Sequence, residues 1–134
     1  MGGKIKKRRH KLSGESDKEN KKMDCLFCKF ASGEIPVNKV YEDENMIIIC
    51  DIEPKAKYHY LAIPKTHFKY LSEMTEKDEV MLGKILATIP TLKDVLHLEG
   101  GYRLVINQGD DAGQSVPHLH IHILCGQKMG WQPA

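Results

Sequence analysis

Apolar residues gather in several short, strand-sized runs of this chain, alternate strictly with histidines at 116–124, and fall at helical spacing in one long stretch. Period-two runs read as strands, because successive strand side chains point to opposite faces. NKVYEDENMIIICDI predicts a hairpin, with strands near 38–42 and 46–51 turning through Asp43, Glu44 and Asn45. HYLAIP at 59–64 and YRLVINQG at 102–109 predict a third and a fourth strand, and VPHLHIHIL at 116–124 a fifth. The long stretch TEKDEVMLGKILATIPTLKDVLHLEGG predicts a helix. Thr75 and Asp78 form a capping-box start, Gly100-Gly101 a stop, and Pro90 an internal kink. Val80, Met81, Ile85 and Leu86 fall at helical spacing, as do Leu92, Val95 and Leu96. DCLFCKFASGE predicts a short helix capped by Asp24 and ended by Gly33, with Leu26, Phe27 and Phe30 on its buried side. Together these predict an α+β domain: a five-stranded antiparallel sheet with one long and one short helix packed on one face.

The N-terminal segment departs from this pattern. MGGKIKKRRHKLSGESDKENKK offers almost nothing to bury, and residues 1–22 are expected to be a disordered basic tail ahead of a folded domain over 23–134. A solvated tail is the simplest reading of KIKKRRHK, although such a cluster could also bind nucleic acid or serve as a nuclear address. The chain carries a formal charge of +2, and without the tail the rest is mildly acidic. That argues against a nucleic-acid partner, which requires a basic face. No apolar run is long enough for a membrane span, and no secretory leader is expected. The Cys25–Cys28 pair, without a secretion signal, reads as metal or thiol chemistry in a reducing compartment, the cytoplasm. Cys50 and Cys125 are expected to be buried strand cysteines.

The fifth predicted strand carries the candidate chemistry. His118, His120 and His122 would share one face, with Leu119, Ile121 and Ile123 on the other. Three readings compete. Surface histidines on a solvated face are the plainest, but three imidazoles in register repel one another when charged. A metal site is the second, since Cys25 and Cys28 offer half of a zinc ligand set. Nucleophilic attack on phosphorus is the third. A neutral imidazole whose other nitrogen is held presents a lone pair, and its neighbours can donate to phosphoryl oxygens or to the leaving group. The loop DDAGQS just ahead offers close backbone approach at Gly113 and donors at Ser115.

GQSVPHLHIHIL resembles the signature of the histidine triad (HIT) superfamily, histidines alternating with apolar residues, at every position. EIPVNKVYEDENMIIICDI, HYLAIPKTH and YRLVINQG precede it in the expected order. The resemblance spans roughly residues 24 to 134, and GQKMGWQPA looks like the tail of the Hint branch. It implies a homodimer whose two sheets join into one of ten strands. It further implies hydrolysis of purine nucleoside phosphoramidates, AMP bonded to an amine or to lysine, through a nucleotidyl-histidine. On that pattern His120 is the nucleophile, its second nitrogen held by the His118 carbonyl. His122 meets the phosphate, His59 stands behind, and Ser115 meets the phosphate or the leaving amine. Asp51 takes the ribose hydroxyls. Phe27, Ile35, Ile49 and Ile52 form the purine slot, and Asn107, Gly113 and Gln114 line the site for AMP or GMP. No cofactor is required for the chemistry. A structural zinc would be held by Cys25, Cys28, His67 and His118, as in microbial relatives, whereas the tail resembles the Hint branch.

Sister branches frame the alternatives. Fhit-like members cleave dinucleoside polyphosphates. Related transferases carry Gln where this chain has His122, which favours a hydrolase, and decapping and DNA-repair members need further domains. A nucleotide-binding regulatory module is a rival of a different kind, disfavoured by the intact triad, Ser115 and Asn107.

Overall fold

A computed structural model describes residues 25–131. The expectations for the basic tail at 1–22, for Met23 and for an Asp24 cap lie outside these residues. The elements run α1 (Leu26–Ser32), β1 (Lys39–Glu42), β2 (Met46–Cys50), β3 (Tyr58–Pro64), α2 (Glu76–Thr88), α3 (Lys93–Leu96), β4 (Tyr102–Val105) and β5 (Ile121–Cys125), with short 3₁₀ turns between some of them. The five strands form one antiparallel sheet in the order β1-β2-β3-β5-β4. The α+β class and the five-stranded sheet match the sequence expectation.

The strands are shorter than the apolar pattern suggested. β4 stops at Val105, and β5 begins only at Ile121. Pairing fails beyond Ala62↔Ile121 because of Pro64, which has no N–H to give a ladder and whose carbonyl is taken by the His118 ring at 2.8 Å. The Leu119 N–H bonds instead to the Phe68 carbonyl at 2.7 Å. His118 and His120 therefore precede the regular strand rather than lie on it.

The two helices do not share a face. α1 packs Cys25, Phe27 and Cys28 on Ile47, Ile49 and Ile63. The long helical segment packs Met81, Leu82, Ile85, Ile89, Leu92 and Leu96 on Met46, Ile48, Tyr60, Ala62, Ile121 and Ile123. Covering both faces explains why β2 reads as the unbroken run MIIIC, buried over 46–49, rather than as an alternation. Burial in α2 is also narrower than its sequence implied. Met81 and Ile85 are buried, whereas Val80, Leu86 and, further on, Val95 are exposed.

α2 starts as its sequence predicts. The Thr75 hydroxyl accepts from the Asp78 N–H, and the Asp78 carboxylate accepts from the Thr75 N–H. Pro90 sits in a 3₁₀ turn over Ile89–Leu92, which redirects the chain into α3. α1 begins differently. Cys25 is its N-cap, with Sγ accepting from the Cys28 N–H at 3.4 Å, and Gly33 ends it in the left-handed conformation.

Ile85 is fully buried between α2 and the sheet, whereas Val80 is 59% exposed. Ile85→Ala should therefore cost about 2–5 kcal/mol in urea denaturation, and Val80→Ala no more than about 0.5 kcal/mol. Equal losses for the two would contradict the packing described.

Candidate functional site

The segment 118–122 carries its imidazoles toward the face covered by α1, and each ring has a different set of partners. Backbone groups fix several protons, so tautomers can be assigned. Nδ1 of His120 lies 2.8 Å from the carbonyl of His118. A carbonyl only accepts, so Nδ1 carries the hydrogen and the lone pair of the neutral ring sits on Nε2. In His59 the Lys55 N–H donates to Nδ1 at 3.0 Å, so the proton sits on Nε2. That proton points at Nδ1 of His122, 2.9 Å away. His122 must then accept at Nδ1 and carry its own hydrogen on Nε2. The result is a lone pair on one ring and an N–H on its neighbour, with ring centroids 5.2 Å apart.

Burial drives His59 and His122 toward the uncharged form. It is the largest influence on His122, which the nearby His120 and His59 push further, down to about 4. His59 also lies below its ordinary value, chiefly by burial, with Asp51 opposing. The Asp51 carboxylate stands 3.5 Å from Nε2 of His59, and its other oxygen accepts from the Glu53 N–H at 2.8 Å. With His59 neutral, the long contact is not an ion pair.

His118 faces elsewhere. Its Nε2–H donates to the Pro64 carbonyl, which leaves Nδ1 as an acceptor. That nitrogen lies 3.3 Å from Sγ of Cys25, 3.5 Å from Sγ of Cys28 and 3.1 Å from Nδ1 of His67. Cys28 Sγ is 3.2 Å from Nδ1 of His67. The ring is fully buried and its pKa is pushed down to about 4, chiefly by burial. A tetrahedral zinc held by two thiolates and two imidazoles sets donor separations of about 3.3 Å between nitrogens, about 3.5 Å between nitrogen and sulfur and about 3.8 Å between sulfurs. The four donors match this to within a few tenths of an ångström, so Cys25, Cys28, His67 and His118 form a cluster that could hold a metal ion.

Asp51, His59 and His122 also converge, but their protons are already committed. The hydrogen bond from the Lys55 N–H keeps the proton of neutral His59 on Nε2, where a metal would need a lone pair. This group is a hydrogen-bonded chain rather than a ligand set.

The other expected residues are distributed as follows. Phe27 is buried, edge-on to His118 at 5.9 Å and to His120 at 5.1 Å. Ile49 is buried beneath it, Ile35 is half-buried, and Ile52 is 95% exposed on the turn after Asp51. Ser115 and Gly113 are exposed, and Asn107 is half-buried. Gln114 braces its own loop. Its oxygen accepts from the Gly109 N–H at 2.8 Å, and its amide donates to the Lys69 carbonyl at 3.1 Å. Gln108 reinforces the same junction by accepting from the Leu71 N–H. Cys125 is buried as expected, but Cys50 is exposed, because it ends β2 beyond the cover of the long helix. Sequence reasoning missed Lys55 and Pro64. Lys55 acts through its backbone and leaves no residue-type signal, whereas a proline at a strand end was visible.

Fold and site together define an α+β domain with a histidine cluster at the entry to β5. A family model described as "Scavenger mRNA decapping enzyme C-term binding" matches residues 24–132. Protein HitA of Neisseria gonorrhoeae is 43% identical over 101 residues, covering 75% of this chain and 94% of that protein. The solved HIT family hydrolase from Legionella pneumophila Philadelphia 1 is 43% identical with a TM-score of 0.76, over 82% of this chain and 99% of that one. A histidine triad protein from Clostridium difficile is 40% identical with a TM-score of 0.76, over 83% and 97%. The chain belongs to the histidine triad family. It is hydrolase-like in fold, and no helix among the described residues is long and apolar enough to cross a membrane.

His122 titrates at about 6.5 when unfolded and near 4 when folded. Between those values the unfolded chain takes up a proton that the native ring refuses, so stability falls as pH drops through that window and levels off below it. His122→Gln should flatten this dependence relative to the parent chain, measured as melting temperature from pH 7 to pH 4. An unchanged slope would contradict the burial assigned to this ring.

Proposed function

We propose that this protein hydrolyses the P–N bond of purine nucleoside 5′-phosphoramidates, AMP joined to an amine or to lysine, through a nucleotidyl-histidine. The observation that carries the reading is the 2.8 Å contact from Nδ1 of His120 to the His118 carbonyl, which leaves Nε2 as the lone-pair atom. In the first step that nitrogen attacks phosphorus, an N–P bond forms to His120, and the bond to the amine breaks. The Nε2–H of His122 is oriented to donate to the phosphate, and the proton needed by the departing amine reaches it through Ser115 or solvent. In the second step water attacks phosphorus, the bond to His120 breaks, and the nucleoside monophosphate leaves. His59, held by Lys55, keeps the proton of His122 on the outward nitrogen.

The surrounding residues suit a mononucleotide. Asp51 stands beside the His59–His122 pair with a carboxylate able to take two ribose hydroxyls. Phe27 and Ile49, with Ile35 and the exposed Ile52, supply an apolar slot for the purine. Ser115, Gly113, Gln114 and Asn107 supply phosphate and leaving-group contacts from a loop that Gln114 and Gln108 brace. The chemistry needs no metal. Cys25, Cys28, His67 and His118 would hold a structural zinc, closed by four protein ligands with no position for substrate. A second copy of the chain would add its β4 to the exposed β4 edge, where Tyr102 and Leu104 are partly uncovered. The cytoplasm, with the nucleus as a further destination, suits the reduced cysteines and the basic N-terminal cluster.

Turnover of AMP phosphoramidate should exceed that of a diadenosine polyphosphate in parallel assays. His120→Asn should lower it on the order of 10³-fold or more while leaving the fold intact. A preference for the polyphosphate would move the protein to the Fhit-like class, and unchanged turnover in His120→Asn would remove the nucleophile assignment.

A further inference from the structure

His118 belongs to two sites at once. Its ring sits in the Cys–His cluster, with Nδ1 facing Cys25, Cys28 and His67. Its carbonyl accepts the hydrogen that fixes the tautomer of His120. A backbone shift that moves the ring within the cluster also moves the carbonyl, because both belong to one residue. A second path runs through α1. Cys25 is the N-cap of that helix and Cys28 lies in its first turn. Phe27, between them in sequence, contacts the rings of both His118 and His120 edge-on. Tying the two thiols to His118 would therefore hold the start of α1, and with it Phe27, in place beside the His120 ring.

Nδ1 of His118 can only accept, because its other nitrogen is committed to Pro64. Without a cation it must take a hydrogen either from a thiol, a weak donor, or from Nδ1 of His67 3.1 Å away, so its donor is not unique. A cation bound to all four groups would remove that slack.

We propose that Cys25, Cys28 and His67 are positioning residues for His120: a metal ion in their cluster fixes the tautomer and aim of the nucleophile through His118 and Phe27. Filling the site then governs the chemical step more than nucleotide affinity, which Phe27 also touches through the proposed purine slot. The activity side of this proposal rests on the phosphoramidase reading above, while its structural side does not.

The test compares the full chain loaded with zinc, the same chain after chelation well below its melting temperature, and the variants His67→Ala and His67→Cys. Elemental analysis should give about one zinc per loaded chain. Long-range ¹H–¹⁵N spectra of the imidazoles report the tautomer of His120, and circular dichroism reports the fold. Loaded protein should show His120 in the single Nδ1–H form. Chelated protein and His67→Ala should show both tautomers, with kcat for AMP phosphoramidate lowered about 10–100-fold and AMP affinity lowered by less than kcat. His67→Cys, which restores a soft donor, should recover both signals. A folded, metal-free chain with one His120 tautomer and kcat within twofold of the loaded protein would overturn the proposal. If chelation and His67→Ala both unfold the chain, cadmium-loaded protein takes their place. Its longer bonds must shift the His120 resonances, and unchanged resonances overturn the proposal. A tautomer change without any turnover would sink the substrate reading while leaving the coupling in place. Turnover without a tautomer change would do the reverse.

Discussion

A single backbone carbonyl, that of His118, decides which nitrogen of His120 is available. A neutral imidazole free to choose its tautomer spends part of its time with the reactive nitrogen protonated. A carbonyl 2.8 Å from Nδ1 removes that choice, because it accepts and never donates. The same device recurs around it: the Lys55 N–H fixes His59, His59 fixes His122, and the Pro64 carbonyl fixes His118. Four imidazoles thus acquire three distinct roles from the backbone around them, although the side chains are chemically identical.

The fold makes this possible by ending the sheet early. Because Pro64 cannot continue the β3–β5 ladder, the three residues before β5 are released from pairing and their backbone groups can face side chains. Burial does the rest. Rings packed under α1 are driven toward the uncharged form, so several can crowd together without the repulsion that protonation would bring. The depressed pKa values follow from the same covering that builds the apolar layer of Phe27, Ile47, Ile49 and Ile63. Stability at low pH is correspondingly given up for a set of neutral donors and acceptors near pH 7.

Much of this was legible in the sequence. Short apolar runs between turn residues, with strict alternation at 116–124, placed all five strands, the Thr75–Asp78 pair placed the start of the long helix, and VPHLHIHIL singled out the histidines. The placement of the helices was misread, although MIIIC carried the correction: an unbroken apolar run needs cover on both faces, whereas sharing one face would leave Ile47 and Ile49 in solvent. The extent of β5 was also misread, because alternation describes side-chain direction and not hydrogen bonding. His118 and His120 keep the direction and lose the ladder. Cys25 as a helix cap and Lys55 as a tautomer lock act through atoms that residue type does not advertise. The convergence of Cys25 and Cys28 with His67 and His118, across more than 90 positions between Cys25 and His118, was reached only through resemblance to a family.

Stereochemistry at phosphorus tests the central claim most directly. An adenosine phosphoramidothioate of one phosphorus configuration, hydrolysed in ¹⁸O-water, records how many displacements occur. Attack by His120 followed by attack by water inverts the centre twice, so the product should retain configuration. Inversion would mean that water attacks the substrate directly and that the lone pair held by the His118 carbonyl is not the nucleophile.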